Sequence, residues 1–165
     1  MTANIKKTIK PISNENKEWI TDFLTEHWGS PQIVAKGKIH EANNLPGFIL
    51  FFESEPVGLI TYKVENDICE IVSLDSIKEK MGVGIALLEE VKKIAKREQC
   101  TKIELITTND NLPALGFYQK RGFVLTKIYP NALQVSRKLK PEIPLIGLDN
   151  IPLRDEIGLE LLIDA

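Results

Sequence analysis

The chain has 165 residues, of which 43% are hydrophobic and 27% are charged, a balance typical of a folded soluble domain and not of a disordered chain. Its 21 Lys and Arg residues and 23 Asp and Glu residues leave a net charge of -2. Because sequence-independent binding to nucleic acid requires a clear cationic excess, this charge argues against that function.

The length predicts a single domain over residues 1–165. The two cysteines, Cys69 and Cys100, are too few and too far apart for a disulfide framework or a zinc motif, so we expect a reducing, cytoplasmic compartment and no metal. The longest apolar run, residues 48–52, is too short to cross a bilayer, and the first residues lack the apolar core of a signal peptide. We therefore predict no membrane association.

In chain order, residues 5–12 alternate between apolar and polar side chains and predict a first strand. Asn14 is a suitable N-cap for a helix over residues 15–27, whose apolar side chains form one stripe. Residues 28–44 are polar and irregular, with room for a short strand at residues 33–35. Three apolar segments separated by turns then predict an antiparallel meander, with strands at residues 47–52, 57–64 and 68–74.

The second half of the chain predicts a strand–helix–strand crossover. Residues 84–97 form the clearest helix, because apolar side chains lie on one face and the last turn is cationic. A strand at residues 102–107 follows, so part of the sheet is expected to be parallel, in an α/β fold. The remaining predicted elements are a helix at 111–120, a strand at 123–129, a short helix at 131–138, a proline-rich loop at 141–152 and a last strand at 156–163.

A glycine-rich turn separates the last meander strand from the clearest helix. Gly82 and Gly84 let the backbone turn tightly and present free N–H groups at the positive end of the helix dipole, an arrangement that binds phosphate. The alternative is a capping box at residues 76–79, which would place both glycines inside the helix at a cost of about 1 kcal/mol each. A dinucleotide-binding fingerprint is a weaker interpretation of this turn than a simple phosphate site, because Leu87 stands where the fingerprint has its third glycine. A Walker A motif is excluded, because no Gly-Lys-Ser/Thr follows.

Two segments of the chain carry recognisable motifs and have one predicted strand between them. They are residues 79–86 (Glu-Lys-Met-Gly-Val-Gly-Ile-Ala) and residues 111–123. The first segment resembles the Q/R-x-x-G-x-G/A motif of the Gcn5-related N-acetyltransferase (GNAT) superfamily, and the second resembles its N-x-x-A-x-x-x-Y-x-x-x-G-F motif. Glu79 departs from the family's usual Gln or Arg and puts an acid beside the expected pyrophosphate, for which Lys80 offers compensation. The segment after Tyr129 resembles the C-terminal segment of uncharacterised bacterial members.

The resemblance implies a mixed, mostly antiparallel sheet with a central pair of parallel strands that splay apart and with helices on both faces. It implies that acetyl-CoA binds where the strand at residues 68–74 splays from its parallel neighbour. The backbone of Ser73 and Leu74 would pair with the pantetheine arm, and Asn111 would hydrogen-bond the cofactor. The pyrophosphate would accept hydrogen bonds from the backbone of Lys80, Met81, Gly82, Val83, Gly84, Ile85 and Ala86.

The resemblance also implies direct transfer of the acetyl group from acetyl-CoA to an amine. The N–H group of Leu74 would polarise the thioester carbonyl, and Tyr118 would protonate the departing thiolate; the alternative is a tyrosine that only packs under the cofactor. Strand alternation puts Glu70, Val72 and Leu74 on one face, and Glu70 matches the base of histone-type members. The alternatives are a solvated carboxylate at Glu70 and a base role for nearby Asp75.

The acceptor is expected to be an amine of a small molecule or a peptide. His27 and Trp28 end the first helix and begin the long polar segment that covers the acceptor site in this family, so both are candidates for substrate binding. A histidine that only ends the helix and a half-buried tryptophan are the alternatives, and His40 is expected in a loop.

Two other functions stay open, a non-catalytic acyl-CoA-binding module and a nucleotide-binding regulator. We expect a monomer or a homodimer.

Overall fold

The computed structural model describes residues 6–77 and 82–164. In that part of the chain there are nine strands and four α-helices, with short 3₁₀ turns between some of them. The strands are β1 (Lys7–Pro11), β2 (Gln32–Ala35), β3 (Lys38–Glu41), β4 (Gly47–Phe52), β5 (Glu55–Glu65), β6 (Ile68–Ser76), β7 (Lys102–Thr108), β8 (Val124–Tyr129) and β9 (Glu156–Leu162). The helices are α1 (Lys17–Trp28), α2 (Val83–Arg97), α3 (Leu112–Lys120) and α4 (Ala132–Leu139). No helix in these ranges is long and apolar enough to cross a membrane.

Seven of the strands form one mixed sheet in the order β1-β4-β5-β6-β7-β9-β8, and β2 pairs with β3 in a separate hairpin. Within the large sheet β6 and β7 are parallel, and the other described neighbours are antiparallel. The crossover through α2 therefore connects the parallel pair, as the strand–helix–strand order predicted. The predicted α/β fold with a mostly antiparallel sheet is confirmed.

Helices cover both faces of this sheet, which confirms another part of the predicted fold. Strand β4 shows how the two cores are divided, because Phe48, Leu50 and Phe52 pack in the cluster that contains the buried face of α2. Ile49 lies between them in sequence and packs with the buried residues of α1. A period of two sends alternate side chains to opposite faces, so a strand buried on both faces is apolar throughout.

The parallel pair is short, and its strands then separate. Pairing between β6 and β7 ends at Ile71 opposite Leu105. Beyond that point β6 stays paired with β5, and β7 stays paired with β9. A gap therefore opens between residues 72–76 and residues 106–108, where neither strand has a ladder partner across the gap. This is the splayed strand pair that the family resemblance implied.

A β-bulge in β6 marks the start of the gap. Thr61 and Tyr62 are consecutive residues of β5, but their partners in β6 are Ser73 and Ile71. Val72 is therefore the extra residue of the bulge, which bends the strand and increases its local twist. The bend begins where β6 leaves β7.

The bulge also changes which side chains share a face. Val72 packs with the α1 cluster, whereas Leu74 packs against the α2 cluster on the opposite face. The prediction that Leu74 shares a face with Glu70 and Val72 was therefore wrong, because simple alternation along a strand fails where one residue is inserted.

The β2–β3 hairpin was only half predicted, since its first strand was expected and its second was assigned to a loop. Ala35 pairs with Lys38 across a two-residue turn. Both turn residues, Lys36 and Gly37, have positive φ angles of 52° and 70°, as tight hairpin turns require. His40 lies in the second strand and is 8% exposed. The expectation of a loop at His40 was wrong, because a Lys-Gly turn is a weaker hairpin signal than Asn-Gly.

The other boundaries agree with the predicted elements to within a few residues. One such shift is at α1, which begins at Lys17 after a 3₁₀ turn at Asn14–Asn16. The N-cap of α1 is therefore Asn16 and not Asn14. The backbone N–H of Ser13 donates to the side-chain oxygen of Asn16 at 3.0 Å, which stabilises this different start.

Gly47 begins β4 where the backbone leaves no room for a side chain. A Cβ atom there would overlap the carbonyl oxygen of Ile60 and press on the side chain of Ile12. We expect Gly47→Ala to lower the free energy of unfolding by about 1–3 kcal/mol, the usual cost of forcing extra volume into a packed structure. Denaturant unfolding of the purified variant measures the difference.

Gly116→Ala is the matched control, because Gly116 lies in α3 and an added Cβ would meet no heavy atom within 4 Å. Alanine is favoured over glycine inside a helix by about 1 kcal/mol, so this variant should be at least as stable as the parent. Equal stability of the Gly47→Ala variant and the parent would contradict the close approach at β4.

Candidate active site

A cavity of about 100 Å³ lies beside the gap between β6 and β7. Its walls come from the end of α1, the β2–β3 hairpin, β6, β7 and the first residue of β9, which are distant from one another in sequence. We name it the gap cavity and define it by the side chains of Trp28, His40, Glu70, Asn111 and Glu156.

Glu70 and His40 are neighbours in the gap cavity. The Nε2 atom of His40 lies 3.9 Å from Oε1 of Glu70. Burial lowers the pKa of His40 below its usual 6.5; Glu70 opposes this shift, and Lys63 and Lys38 add to it. His40 is therefore neutral at pH 7, which leaves the partly exposed carboxylate of Glu70 available to accept a proton.

Trp28 forms another wall of the gap cavity. Its indole Nε1 donates a hydrogen bond to Oδ2 of Asp75 at 2.7 Å. Burial raises the pKa of Asp75, and the hydrogen bond from Trp28 and the nearby His27 oppose that shift. The Asp75 carboxylate thus holds the indole in place where β6 runs along the gap.

The C-terminal half of the chain supports the same wall from the other side. Lys140 follows α4, and its buried ammonium donates to the carbonyl oxygens of Trp28 and Gln32 at 2.7 Å each. These bonds join the end of α1 to the start of β2. The position of Trp28 therefore depends on a residue more than a hundred positions away in sequence.

His27 does not line the gap cavity, although the sequence paired it with Trp28 as a candidate for substrate binding. Its Nδ1 lies 2.9 Å from the carbonyl oxygen of Phe23, and its ring centroid lies 4.2 Å from that of Phe23. These contacts are those of a histidine that ends a helix.

Tyr118 lies in the core on the α2 face, where it is 6% exposed. Its ring makes edge contacts with Phe117 and Phe123, with centroids 5.1 Å and 5.3 Å apart. Burial raises the pKa of Tyr118, and the charge of Asp75 adds to the shift. The structure does not bring Tyr118 and Glu70 into one cavity, since Tyr118 belongs to the α2 core and Glu70 to the gap cavity.

Two other predicted cofactor residues use their side chains within the protein. Asn111 is the N-cap of α3, and its Oδ1 accepts a hydrogen bond from the N–H of Ala114 at 3.2 Å. The hydroxyl groups of Ser73 and Thr61 lie 2.6 Å apart in the sheet interior. Ser73 therefore offers only its backbone to a ligand, as does Leu74, whose side chain packs against the α2 core.

The N-terminus of α2 presents backbone N–H groups that no side chain of the described residues caps. The N-cap is Gly82, which has a left-handed backbone with φ 74°. The N–H of Ala86 donates to the carbonyl oxygen of Gly82 at 3.0 Å, so the N–H groups of Val83, Gly84 and Ile85 precede the first helical bond. The first turn of the described helix holds no acidic side chain. Such a donor set fits an anion.

Gly84 lies where α2 meets α3. A Cβ atom at Gly84 would lie 3.2 Å from the ring of Phe117, so the two helices approach closely at this glycine. The helix begins at Val83, which leaves neither glycine of the motif deep inside it. Lys80 and Met81, which were predicted for the same phosphate site, and Glu79 lie outside the described residues.

The sequence offered no signal for Glu156 as a site residue. It is 2% exposed at the start of β9, opposite Thr108 of β7, and the backbone N–H of Lys36 donates to its Oε1 at 3.1 Å. Only the pairing of β9 with β7 brings it to the gap cavity. Among residues 6–77 and 82–164, no group of three His, Cys, Asp or Glu side chains is arranged to hold a metal ion.

This architecture is that of solved acetyltransferases. The IAA acetyltransferase from Bacillus cereus ATCC 14579 matches with a TM-score of 0.75 over 96% of this chain and 100% of that chain, at 21% identity. A GNAT family acetyltransferase from Elizabethkingia anophelis, solved with acetyl-CoA bound, matches with a TM-score of 0.69 over 95% of this chain and 98% of that chain, at 21% identity. At these identities the likeness shows a shared fold.

Sequence comparison establishes the family. The model described as "Acetyltransferase (GNAT) family" matches residues 13–123, which is more than half of the chain. The uncharacterized protein YxbD of Bacillus subtilis (strain 168) is 46% identical over 152 residues, which cover 92% of this chain and 96% of that protein. The uncharacterized protein YdhI of the same strain is 45% identical over 157 residues, which cover 94% and 98%. The chain belongs to the GNAT acetyltransferase family, as its two motifs predicted.

The burial of His40 predicts its titration. We expect its pKa to lie below 6.5, because burial disfavours the imidazolium, and we expect Glu70→Gln to lower it further, because the carboxylate raises it. The chain has two histidines, so NMR titration of the imidazole C–H resonances resolves both. His27→Gln is the control that leaves only the resonances of His40.

The same shift affects stability. The unfolded chain takes up a proton at His40 near pH 6.5 and the folded chain only at lower pH, so stability present above pH 6.5 is lost as the pH falls through the folded-state pKa. His40→Gln should remove this part of the pH dependence. A pKa of 6.5 or higher for His40 would contradict a buried neutral imidazole.

Proposed function

We propose that this GNAT chain transfers the acetyl group of acetyl-CoA to the amine of a small molecule or a peptide. The main support for this proposal is the gap between β6 and β7. Unpaired strand backbone lines the gap, uncapped N–H groups follow it at α2, and the gap cavity with Glu70 adjoins it. This arrangement offers backbone donors to a cofactor and a carboxylate to an acceptor amine.

The residues present fit acetyl-CoA, which supplies the activated acetyl group when bound. The N–H groups of Val83, Gly84 and Ile85 would donate to the pyrophosphate, because they have no helical acceptor and face no acid in the first turn. The backbone of Ser73 and Leu74 pairs with β5 on one edge and has left β7 on the other, so the groups that face the gap can pair with the pantetheine arm. Acetyl-CoA in the related fold from Elizabethkingia anophelis supports this assignment.

Glu70 is the proposed base that takes the proton of the acceptor amine. Its carboxylate lines the gap cavity beside a neutral His40, so no cationic histidine competes for it. Asp75 is less suitable, because its Oδ2 already accepts a hydrogen bond from Trp28 at 2.7 Å. Removal of one proton from the ammonium form of the acceptor leaves the nitrogen with the lone pair that forms the new N–C bond. The nitrogen then carries a positive charge, and its second proton passes to solvent as the C–S bond breaks and the amide forms.

Tyr118 is the proposed acid that protonates the thiolate as the C–S bond breaks. Its hydroxyl is protonated at neutral pH, as an acid requires, because burial disfavours the phenolate. The N–H of Leu74 would donate to the carbonyl oxygen of the thioester, where negative charge develops. Base and acid would then act from the two faces of the sheet, with the reacting atoms in the gap between them.

Four further expectations belong to this proposal. We expect the chain to be one domain, to work in the cytoplasm and to act as a monomer or a homodimer. Asn111 would meet the cofactor through the amide nitrogen that its capping bond leaves over.

Gly84 tests the proposed phosphate site. Valine at this position adds bulk above the backbone N–H groups and presses on Phe117, whose ring would lie 3.2 Å from the new Cβ. We expect the Kd of acetyl-CoA to rise at least about tenfold, which corresponds to 1.4 kcal/mol of binding free energy. Isothermal titration calorimetry with CoA and acetyl-CoA measures it.

Gly116→Val is the matched control, because an added Cβ at this position in α3 would meet no heavy atom within 4 Å. It should keep the parent affinity, and thermal unfolding of both variants checks that each is folded. A folded Gly84→Val protein with the affinity of the parent would refute the phosphate site at α2.

Tyr118→Phe tests the proposed acid, because it removes only the hydroxyl group. General acid catalysis typically contributes about 10²–10⁴-fold, and a CoA thiolate is a fair leaving group, so we expect turnover to fall at least about tenfold. The affinity for acetyl-CoA should change little. The measurement is release of free CoA at saturating acetyl-CoA, with an acceptor found by screening primary amines.

Tyr129→Phe removes the same hydroxyl from β8, outside the gap cavity, and should keep the parent rate. Parent turnover in the Tyr118→Phe protein would exclude the hydroxyl as the acid. A loss of affinity without a loss of rate would make Tyr118 a binding residue. Binding of acetyl-CoA without transfer to any amine would favour the non-catalytic acyl-CoA-binding module.

A further inference from the structure

Glu156 is a buried carboxylate that the proposed mechanism does not use. It begins β9, lines the gap cavity and is 2% exposed. A carboxylate withdrawn from water is costly unless hydrogen bonds and a cation compensate for its lost hydration. The hydrogen bonds and charges that surround Glu156 therefore indicate which part of this compensation a ligand would supply.

The chain itself compensates for only part of this cost. The backbone N–H of Lys36 donates to Oε1 of Glu156 at 3.1 Å, but the ammonium group of Lys36 lies 3.5 Å from Glu104 instead. Within residues 6–77 and 82–164, no Lys, Arg or His nitrogen lies within the 4.0 Å of an ion pair from Glu156. Burial raises the pKa of Glu156, and the backbone hydrogen bond and the positive charge of Lys36 both oppose the shift.

The other walls of the gap cavity add negative charge and an aromatic surface. Glu70 lines the same cavity, and burial keeps His40 neutral. None of the described residues that line the cavity is a lysine or an arginine. Trp28 contributes an indole, and aromatic rings attract cations. The remaining walls are mainly aliphatic, with side chains such as Ile33 and Ile106.

The size of the gap cavity limits what enters it. A volume of about 100 Å³ is smaller than the roughly 300–1,000 Å³ of pockets that hold drug-sized ligands, so it suits a small group. An amino group on a short unbranched stem fits this volume. The α-amino group of a peptide carries a side chain and a carbonyl on the adjacent carbon, which makes it wider. An amine with its own carboxylate would meet the like charges of Glu70 and Glu156.

We infer that Glu156 is a specificity-determining residue that binds an ammonium group, and that the acceptor is a small primary alkylamine without a carboxylate. The inference rests on the proposed function only in calling the bound amine an acceptor. Glu156 holds the cation, Trp28 and the aliphatic side chains cover the stem, and Glu70 lies in the same cavity to accept a proton.

Propylamine is the probe, and 3-aminopropanoate is its counterpart with an added carboxylate. Saturation-transfer NMR on the CoA-loaded full chain measures the Kd of each compound. We expect propylamine to bind at least about tenfold more tightly than 3-aminopropanoate to the parent protein, since like charges oppose the second compound. This comparison needs no variant, so it holds whatever a substitution does to folding.

Glu156→Gln removes the charge and keeps a side-chain oxygen for the N–H of Lys36. We expect it to raise the Kd of propylamine at least about tenfold, the size expected for loss of a charge-assisted hydrogen bond. Glu160→Gln is the matched control on the same strand, because Glu160 lies outside the gap cavity and pairs with Lys102. It should leave the Kd of propylamine unchanged.

Three results would overturn the inference: no binding of propylamine to the parent, equal binding of the two probes, or unchanged binding in a folded Glu156→Gln protein. An acetyl-transfer assay separates these from failure of the proposed function. Transfer to amino acids or peptides without propylamine binding would refute the inference and support the proposed function. Propylamine binding that depends on Glu156, without transfer to any amine, would support the ammonium site and refute the proposed function.

Discussion

Backbone pairing between β6 and β7 ends at Ile71 and Leu105, and each strand then keeps only its other neighbour. Buried backbone groups need hydrogen-bond partners, so strands that separate inside a sheet are tolerated only where a ligand or water can pair with them. The bulge at Val72 turns β6 away from β7 at this point. This separation produces the gap cavity. It also leaves the edge of β6 that faces the gap without a partner strand, in the part of β6 that leads toward α2.

Burial assigns different protonation states to the groups around the gap. It lowers the pKa of His40 and raises the pKa of Tyr118, so the imidazole stays neutral and the phenol stays protonated at neutral pH. It also raises the pKa of Asp75 and Glu156. A cavity with two glutamates and a neutral histidine attracts cations, whereas the first turn of α2 attracts anions. The two sides of the gap thus favour ligands of opposite charge.

Local features of the fold and the site could be predicted from the sequence. The glycines at 82 and 84, the run at residues 111–123 and the apolar stripe of α2 each lie within at most 15 consecutive residues, so the helices, the glycine-led start of α2 and the family followed from them. The second strand of the hairpin was missed because its turn residues are uncommon for that role. The bulge was missed because simple alternation was assumed along β6, and no residue type in that segment marks the inserted position.

Apart from the second hairpin strand, the sequence alone determined the order of elements, the parallel crossover, the GNAT family and the backbone donors in the first turn of α2, because each depends on residues that are close in the chain. Tertiary structure decided which side chains share the gap cavity. His40 reaches Glu70 through the hairpin, Glu156 reaches it through the pairing of β9 with β7, and Lys140 holds Trp28 from α4. These contacts join residues far apart in sequence, so only the packed sheet brings them together.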